Sequence, residues 1–130
     1  MCLSIEVHYP ERVLNKGEHK GFKWVVTHNA MGFRCGYVRV PAGHPWHGKQ
    51  WDEISCDCHG GITFAEPDVA CEGPGDDSAY WIGFDCAHFG DAADPDLPDA
   101  VDVSSGVVRS QQYVEECCIS LCCQAESAAK

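Results

Sequence analysis

Three short stretches of the chain gather residues that can hold a metal, carry protons or face a ligand. "GHPWHG" holds His44, Trp46 and His47, "DCHGG" holds Asp57, His59, Gly60 and Gly61, and "WIGFDCAHFGD" holds Trp81, Asp85, His88 and Asp91. In the last stretch Asp85, His88 and Asp91 recur at three-residue intervals. Imidazole and carboxylate together suit zinc, manganese or iron, and catalytic centres commonly use three such ligands with one position open. The spacing proposes Asp85, His88 and Asp91 as ligands of a divalent ion, with His59 able to join them from the neighbouring loop and His59 or His44 handling protons. An ion held this way activates water and neutralises phosphate charge, so an acidic protein can act on a phosphoester.

A second chemistry needs no metal. Gly60 and Gly61 let the backbone approach a ligand closely, because no Cβ stands in the way. Trp46 and Trp51 offer flat faces on which a base can stack, His47 lies between them, and Arg39 can meet a phosphate. The same residues also have a plain structural reading. Asp85 can cap a loop by accepting backbone N–H bonds, and His88 can donate to a nearby carbonyl. Trp24, Trp81 and Phe84 are expected in the core. "CDCH" places Cys56, Cys58 and His59 together, but with one residue between the cysteines instead of the two to four usual for structural zinc. A Cys86–His88 nucleophile lacks anything to lower the thiol pKa.

Three functions follow. The first is metal-assisted hydrolysis of a nucleotide-like or phosphate-bearing small molecule. The second is a non-catalytic binder that sequesters a nucleotide-derived molecule. The third is an interaction protein that inhibits an enzyme through the acidic surface after Asp91.

The elements that must position these residues are those of one small domain of 130 residues. A net charge of −11 argues against general nucleic-acid binding, which rests on neutralising phosphates. No apolar run reaches membrane-spanning length, and the start lacks the pattern of a signal peptide, so a cytoplasmic protein is expected. Ten cysteines are then expected as reduced thiols, with Cys117, Cys118 and Cys122 packing as small apolar groups. A pocket in so small a domain can also be completed by a second subunit, so a homo-oligomer is consistent with the chain.

"LSIEVHY", "FKWVVT", "FRCGYVRV", "GITFAE" and "YWIGFDCA" read as strands, the second and third joined by "HNAMG" in a hairpin. "PAGHPWHGK" is a glycine- and proline-rich loop, "WDEI" a short helical turn, and "PDVACEGPGDD" an acidic loop. The segment from Asp94 to Asp102 reads as a solvated, aspartate-rich loop. From an N-cap at Ser110, Tyr113, Val114, Cys117, Cys118, Leu121, Cys122 and Ala125 recur at helical steps. The expected fold is α+β, an antiparallel sheet of four to six strands with this amphipathic helix on one face.

"GYVRVPAGHPWHG", "HGGITFAE", "WIGFDCAHFGD" and the "YVEEC…LCCQ" tail resemble a family of small bacteriophage- and prophage-encoded proteins. The resemblance runs from near Trp24 to the terminal helix. It implies a phage accessory protein in the host cytosol. Proteins of that kind often counter host defence, including by binding or destroying nucleotide immune signals.

Overall fold

The computed structural model describes residues 10–67, 79–98, 100–102 and 106–130. After a single 3₁₀ turn at Pro10–Arg12, the first strand β1 runs Val13–His19 and pairs antiparallel with β2, Phe22–His28. The link between them is two residues, Lys20 and Gly21, both at positive φ (56° and 84°). That pair of left-handed residues matches the twist of a tight hairpin. β2 pairs with β3, Arg34–Pro41, across the expected five-residue connector. Asn29 closes that connector by accepting N–H bonds from Met31 and Phe33 on its side-chain oxygen. A glycine- and proline-bearing loop and a 3₁₀ turn at Trp51–Glu53 follow, then β4, Phe64–Pro67, and β5, Ala79–Asp85.

The five strands form one antiparallel sheet in the order β1-β2-β3-β5-β4. Two short strands, β6 (Asp91–Ala92) and β7 (Val107–Val108), pair in parallel beside it. The helix α1, Gln111–Ala128, packs on β1, β2 and β3. This is the α+β arrangement anticipated from the pattern of apolar residues.

Strand alternation sends Trp24, Val26, Val38, Ile82 and Phe84 to the helix side, where they meet Val114, Cys118, Leu121, Cys122 and Ala125. Val26, Val38 and Ile82 are fully buried, as are those five helix residues. Gly36 makes the close approach of α1 to β3 feasible: a Cβ there would lie 2.5 Å from Phe84 Cζ and 2.8 Å from Cys118 Sγ. Val25 and Trp81 head a smaller apolar cluster with Val13, Tyr37 and Phe64. The cysteines of α1 serve as packing groups, and burial holds the Cys118 thiol high and pushes that of Cys122 up to about 12. The described cysteines are all free thiols.

Several sequence expectations need correction. "VLNKGEH" forms β1 although its residues are mostly polar, because it is the outer partner of β2, with Asn15, Lys16 and Glu18 exposed and the other four half-buried. "GITFAE" becomes strand only from Phe64. The aspartate-rich segment after Asp91 is a largely exposed loop, tied back where Asp94 N–H bonds Gly32 O and Val101 N–H bonds Met31 O. Asp94 also forms a 2.9 Å ion pair with Arg34. "LSIEVHY", all of "PDVACEGPGDD" beyond Pro67, and Asp99 lie outside the described residues. Among the described residues no helix is long and apolar enough to cross a membrane.

Candidate metal centre

The site forms where β5 ends and two loops meet the first turn of α1. Ser110 caps that helix by accepting the Tyr113 N–H at 3.2 Å, which places Tyr113 in the first turn. The loop carrying His59 is tied along the helix by Gln124, whose amide accepts from Asp57 N–H and donates to Asp57 O, both at 2.7 Å. A turn closed by Gly61 N–H on Cys58 O then aims His59 inward, with Gly60 and Gly61 at φ of 69° and 85°.

His88 and Asp91 arrive from the other side, on the turn that follows β5. Asp91 N–H bonds His88 O at 2.9 Å, and the Asp91 carboxylate accepts His88 N–H at 3.0 Å. This reciprocal pair turns both side chains toward His59. His59 Nε2 lies 2.8 and 3.0 Å from the two Asp91 oxygens, and Tyr113 Oη lies 2.8 Å from His59 Nδ1. Arg109 Nε donates to Asp91 Oδ1 at 2.7 Å and its guanidinium lies 5.3 Å from the Tyr113 ring centre. Asp91 is 4% exposed. Burial opposes its ionisation, but the bonds from Arg109, His59 and the His88 N–H outweigh that and hold its pKa down to about 2. His59 Nε2 thus faces the Asp91 carboxylate and Nδ1 faces the Tyr113 hydroxyl, which can accept an Nδ1–H and leave Nε2 free as a ligand atom.

His88 differs from its neighbours in one respect. Its Nδ1 is buried and has no hydrogen-bond partner, yet it sits 3.7 Å from both Asp85 Oδ1 and Asp91 Oδ2. A buried nitrogen left unpaired between carboxylates calls for an explanation, and an ion is one of the standard ones. His59, His88 and Asp91 each offer a ligand atom within 4.8 Å of the other two. Ligands about 2.1 Å from a tetrahedral ion stand roughly 3.4 Å apart, so an ion would draw His88 Nδ1 in from 3.7 Å and open the 2.8 Å contact between His59 Nε2 and Asp91. The outer partners exist already: Tyr113 behind His59, Arg109 behind Asp91, and Gly60 against the His88 ring. The group can hold a divalent metal.

The structure rearranges the roles proposed from spacing. His59, expected to carry protons or to join as a further ligand, makes up the metal-capable group with His88 and Asp91, and Asp85 is not part of it. Asp85 stands beside His88 but outside the trio, its oxygens accepting from Thr63 Oγ1 at 2.9 Å and Ala87 N–H at 3.1 Å. That is the loop-capping role described for it above. Gly60 and Gly61 are at the site. His44, Trp46, His47 and Trp51 are not. His44 donates through Nε2 to Ala125 O at 2.8 Å and accepts Trp46 N–H on Nδ1, and both residues are buried. Ala125 lies twelve residues beyond Tyr113, which is about 18 Å along the helix. The His47 ring lies 5.3 Å from that of Tyr80 at a 45° tilt, and the Tyr80 hydroxyl reaches Lys49 O, so this loop belongs to the far end of β5. Tyr80 and Asp85 are about 17 Å apart along that strand. Arg39, paired with Trp81 in mid-strand, also lies away from the site. Trp46 is core, so it offers no stacking face, whereas Trp51 is exposed.

Tyr113, Arg109 and Phe89 were not anticipated as site residues. Tyr113 read as part of an apolar helix stripe, and Arg109 carried no local motif. Beside His88 and Asp91 opens a cleft of about 440 Å³, lined by Phe33, Ala87, Phe89, Gly90 and Gly106 as well as those two residues. Comparison of the chain with family models, curated proteins and solved structures finds no match.

Proposed function

We propose that the chain is a metal-dependent hydrolase of a small, phosphate-bearing molecule, with a divalent ion held by His59, His88 and Asp91. The observation that carries this reading is the buried, unpaired His88 Nδ1 facing the Asp91 carboxylate beside an open cleft. Two imidazoles and one carboxylate suit zinc, iron or manganese and leave coordination positions free. A bound ion would supply an activated water and offset the charge of the phosphate. Within this reading Asp85, a third exposed beside His88, is the carboxylate available to take the proton released from that water. The setting of a phage accessory protein acting on a nucleotide-like signal is drawn from the resemblance of the "GFDCAHFGD" and glycine–histidine segments.

One observation favours a metal-free binder instead. The His59–Asp91 pair is already closed, and the Asp91 oxygens are saturated by Arg109, His59 and His88 N–H. Elemental analysis and zinc, manganese and iron(II) titration of protein purified without a metal-affinity tag separate the two. The hydrolase reading expects one equivalent of metal, lost in His88→Ala and retained in Asp85→Asn. Absence of uptake at micromolar metal would end it and leave the binder.

A further inference from the structure

Phe89 is one of the two residues in the turn between His88 and Asp91, and its side chain is wholly exposed, at 108% of the reference area. A single exposed apolar residue is ordinary. This one lines the cleft to which His88 and Asp91, two residues of the proposed metal trio, supply the polar part. Its position is set by the site itself. Asp91 N–H bonds His88 O, and Val107 N–H bonds Gly90 O at 2.9 Å, so the turn is held from both sides. Gly90, at φ 95°, lets the chain reverse directly after the ring.

The remaining lining is chemically uneven. Phe33, Ala87, Phe89, Gly90 and Gly106 present carbon, while His88 and Asp91 bring the polar atoms together at one place. None of the described lining residues is a lysine or arginine, and Arg109 is committed to Asp91. A polyphosphate would therefore find one cationic contact, the ion, and apolar walls for its other charges. A ligand with one anionic head and a flat ring matches the cleft better. Rings stack on an exposed phenylalanine face with little demand for sequence or substituent, and a cleft of this volume lies within the range of small-molecule sites.

We infer that the cleft selects a singly headed anion bearing an aromatic ring, with the head on the His59–His88–Asp91 metal and the ring stacked on Phe89. This rests on the metal reading above and narrows its substrate class to aryl or nucleoside monophosphate-like molecules over nucleoside polyphosphates. The probes are phenylphosphonate and methylphosphonate, which share a head and differ by the ring. Each is titrated calorimetrically into protein loaded with one equivalent of zinc. The wild type is expected to bind phenylphosphonate about tenfold more tightly than methylphosphonate. Phe89→Ala brings that ratio close to one, and Phe89→Trp restores it. Because the Phe89 side chain makes no buried contact, both variants are expected to fold. Equal binding of the two probes by the wild type, a ratio unchanged in Phe89→Ala, or no recovery in Phe89→Trp overturns the inference while leaving the metal reading standing. Failure of the wild type to take up zinc overturns both.

Discussion

Replacing Asp91 by asparagine tests whether this carboxylate organises the site even without metal. The side chain is 4% exposed and receives donors on both oxygens: Arg109 Nε and His59 on Oδ1, His88 N–H and His59 on Oδ2. An asparagine of the same shape must point its NH₂ at one of those donors, whichever way it turns, and so leaves a buried N–H unpaired. A carboxyl held near 2 instead of 3.8 corresponds to about 2 kcal/mol of added stability for the folded, ionised form. Loss of hydrogen bonds to a charged group gives about the same figure, 1.5–3 kcal/mol. With a urea m-value of about 2 kcal/mol/M, Asp91→Asn should lower the unfolding midpoint by about 1 M in metal-free buffer at pH 7. Because the folded pKa lies below the unfolded one, the wild-type advantage is complete above about pH 4. It shrinks as the pH falls toward 2, where Asp91 protonates in both states. Urea midpoints of the two proteins at pH 7, 5, 4 and 3, followed by circular dichroism with a chelator present, measure this. A midpoint difference below about 0.2 M at pH 7, or one that widens as the pH falls from 4 to 3, would refute the reasoning.

Two further substitutions probe the supporting shell. Tyr113→Phe removes the hydroxyl 2.8 Å from His59 Nδ1 and should weaken zinc binding about 10- to 100-fold with helix content unchanged, as read by calorimetric titration and circular dichroism. In Gly60→Ala the new Cβ would collide with the His88 ring at φ 69°, so zinc affinity and stability should both fall. Gly61→Ala, at φ 85° but facing open space, should lower stability alone, and paired zinc and urea titrations distinguish the two.

The core was legible because its signal is periodic. Val114, Cys118, Leu121, Cys122 and Ala125 repeat at helical steps, and the apolar runs of β2, β3 and β5 are strong enough to mark strands without context. β1 escaped because an outer strand needs few apolar residues: Asn15, Lys16 and Glu18 sit on it facing water, a composition that guards a sheet edge against unwanted pairing. The start of "GITFAE" was misread for a related reason. Gly61, Ile62 and Thr63 follow the glycine turn that aims His59, and the chain straightens into strand only at Phe64.

The site was half legible, and the division follows from one strand. Histidine and tryptophan beside glycine mark loop ends, but residue type does not say which end of the sheet a loop occupies. β5 separates the two groups: the His44–Trp51 loop meets its Tyr80 end and the far end of α1, whereas His59 meets the chain leaving Asp85. The three-residue spacing of Asp85, His88 and Asp91 suggested a shared centre, as if successive side chains pointed alike. In a turn they do not. Asp91 folds back to accept the His88 N–H, which swings its carboxylate onto His59, while Asp85 is drawn aside by Thr63 and Ala87. The third residue of the metal-capable group therefore comes from a loop 29 residues before His88, brought in by Gln124 and Tyr113 of α1. Those two residues read locally as ordinary helix positions. What joins them to the group is the loop that α1 holds, and that is a property of tertiary placement, outside any spacing rule.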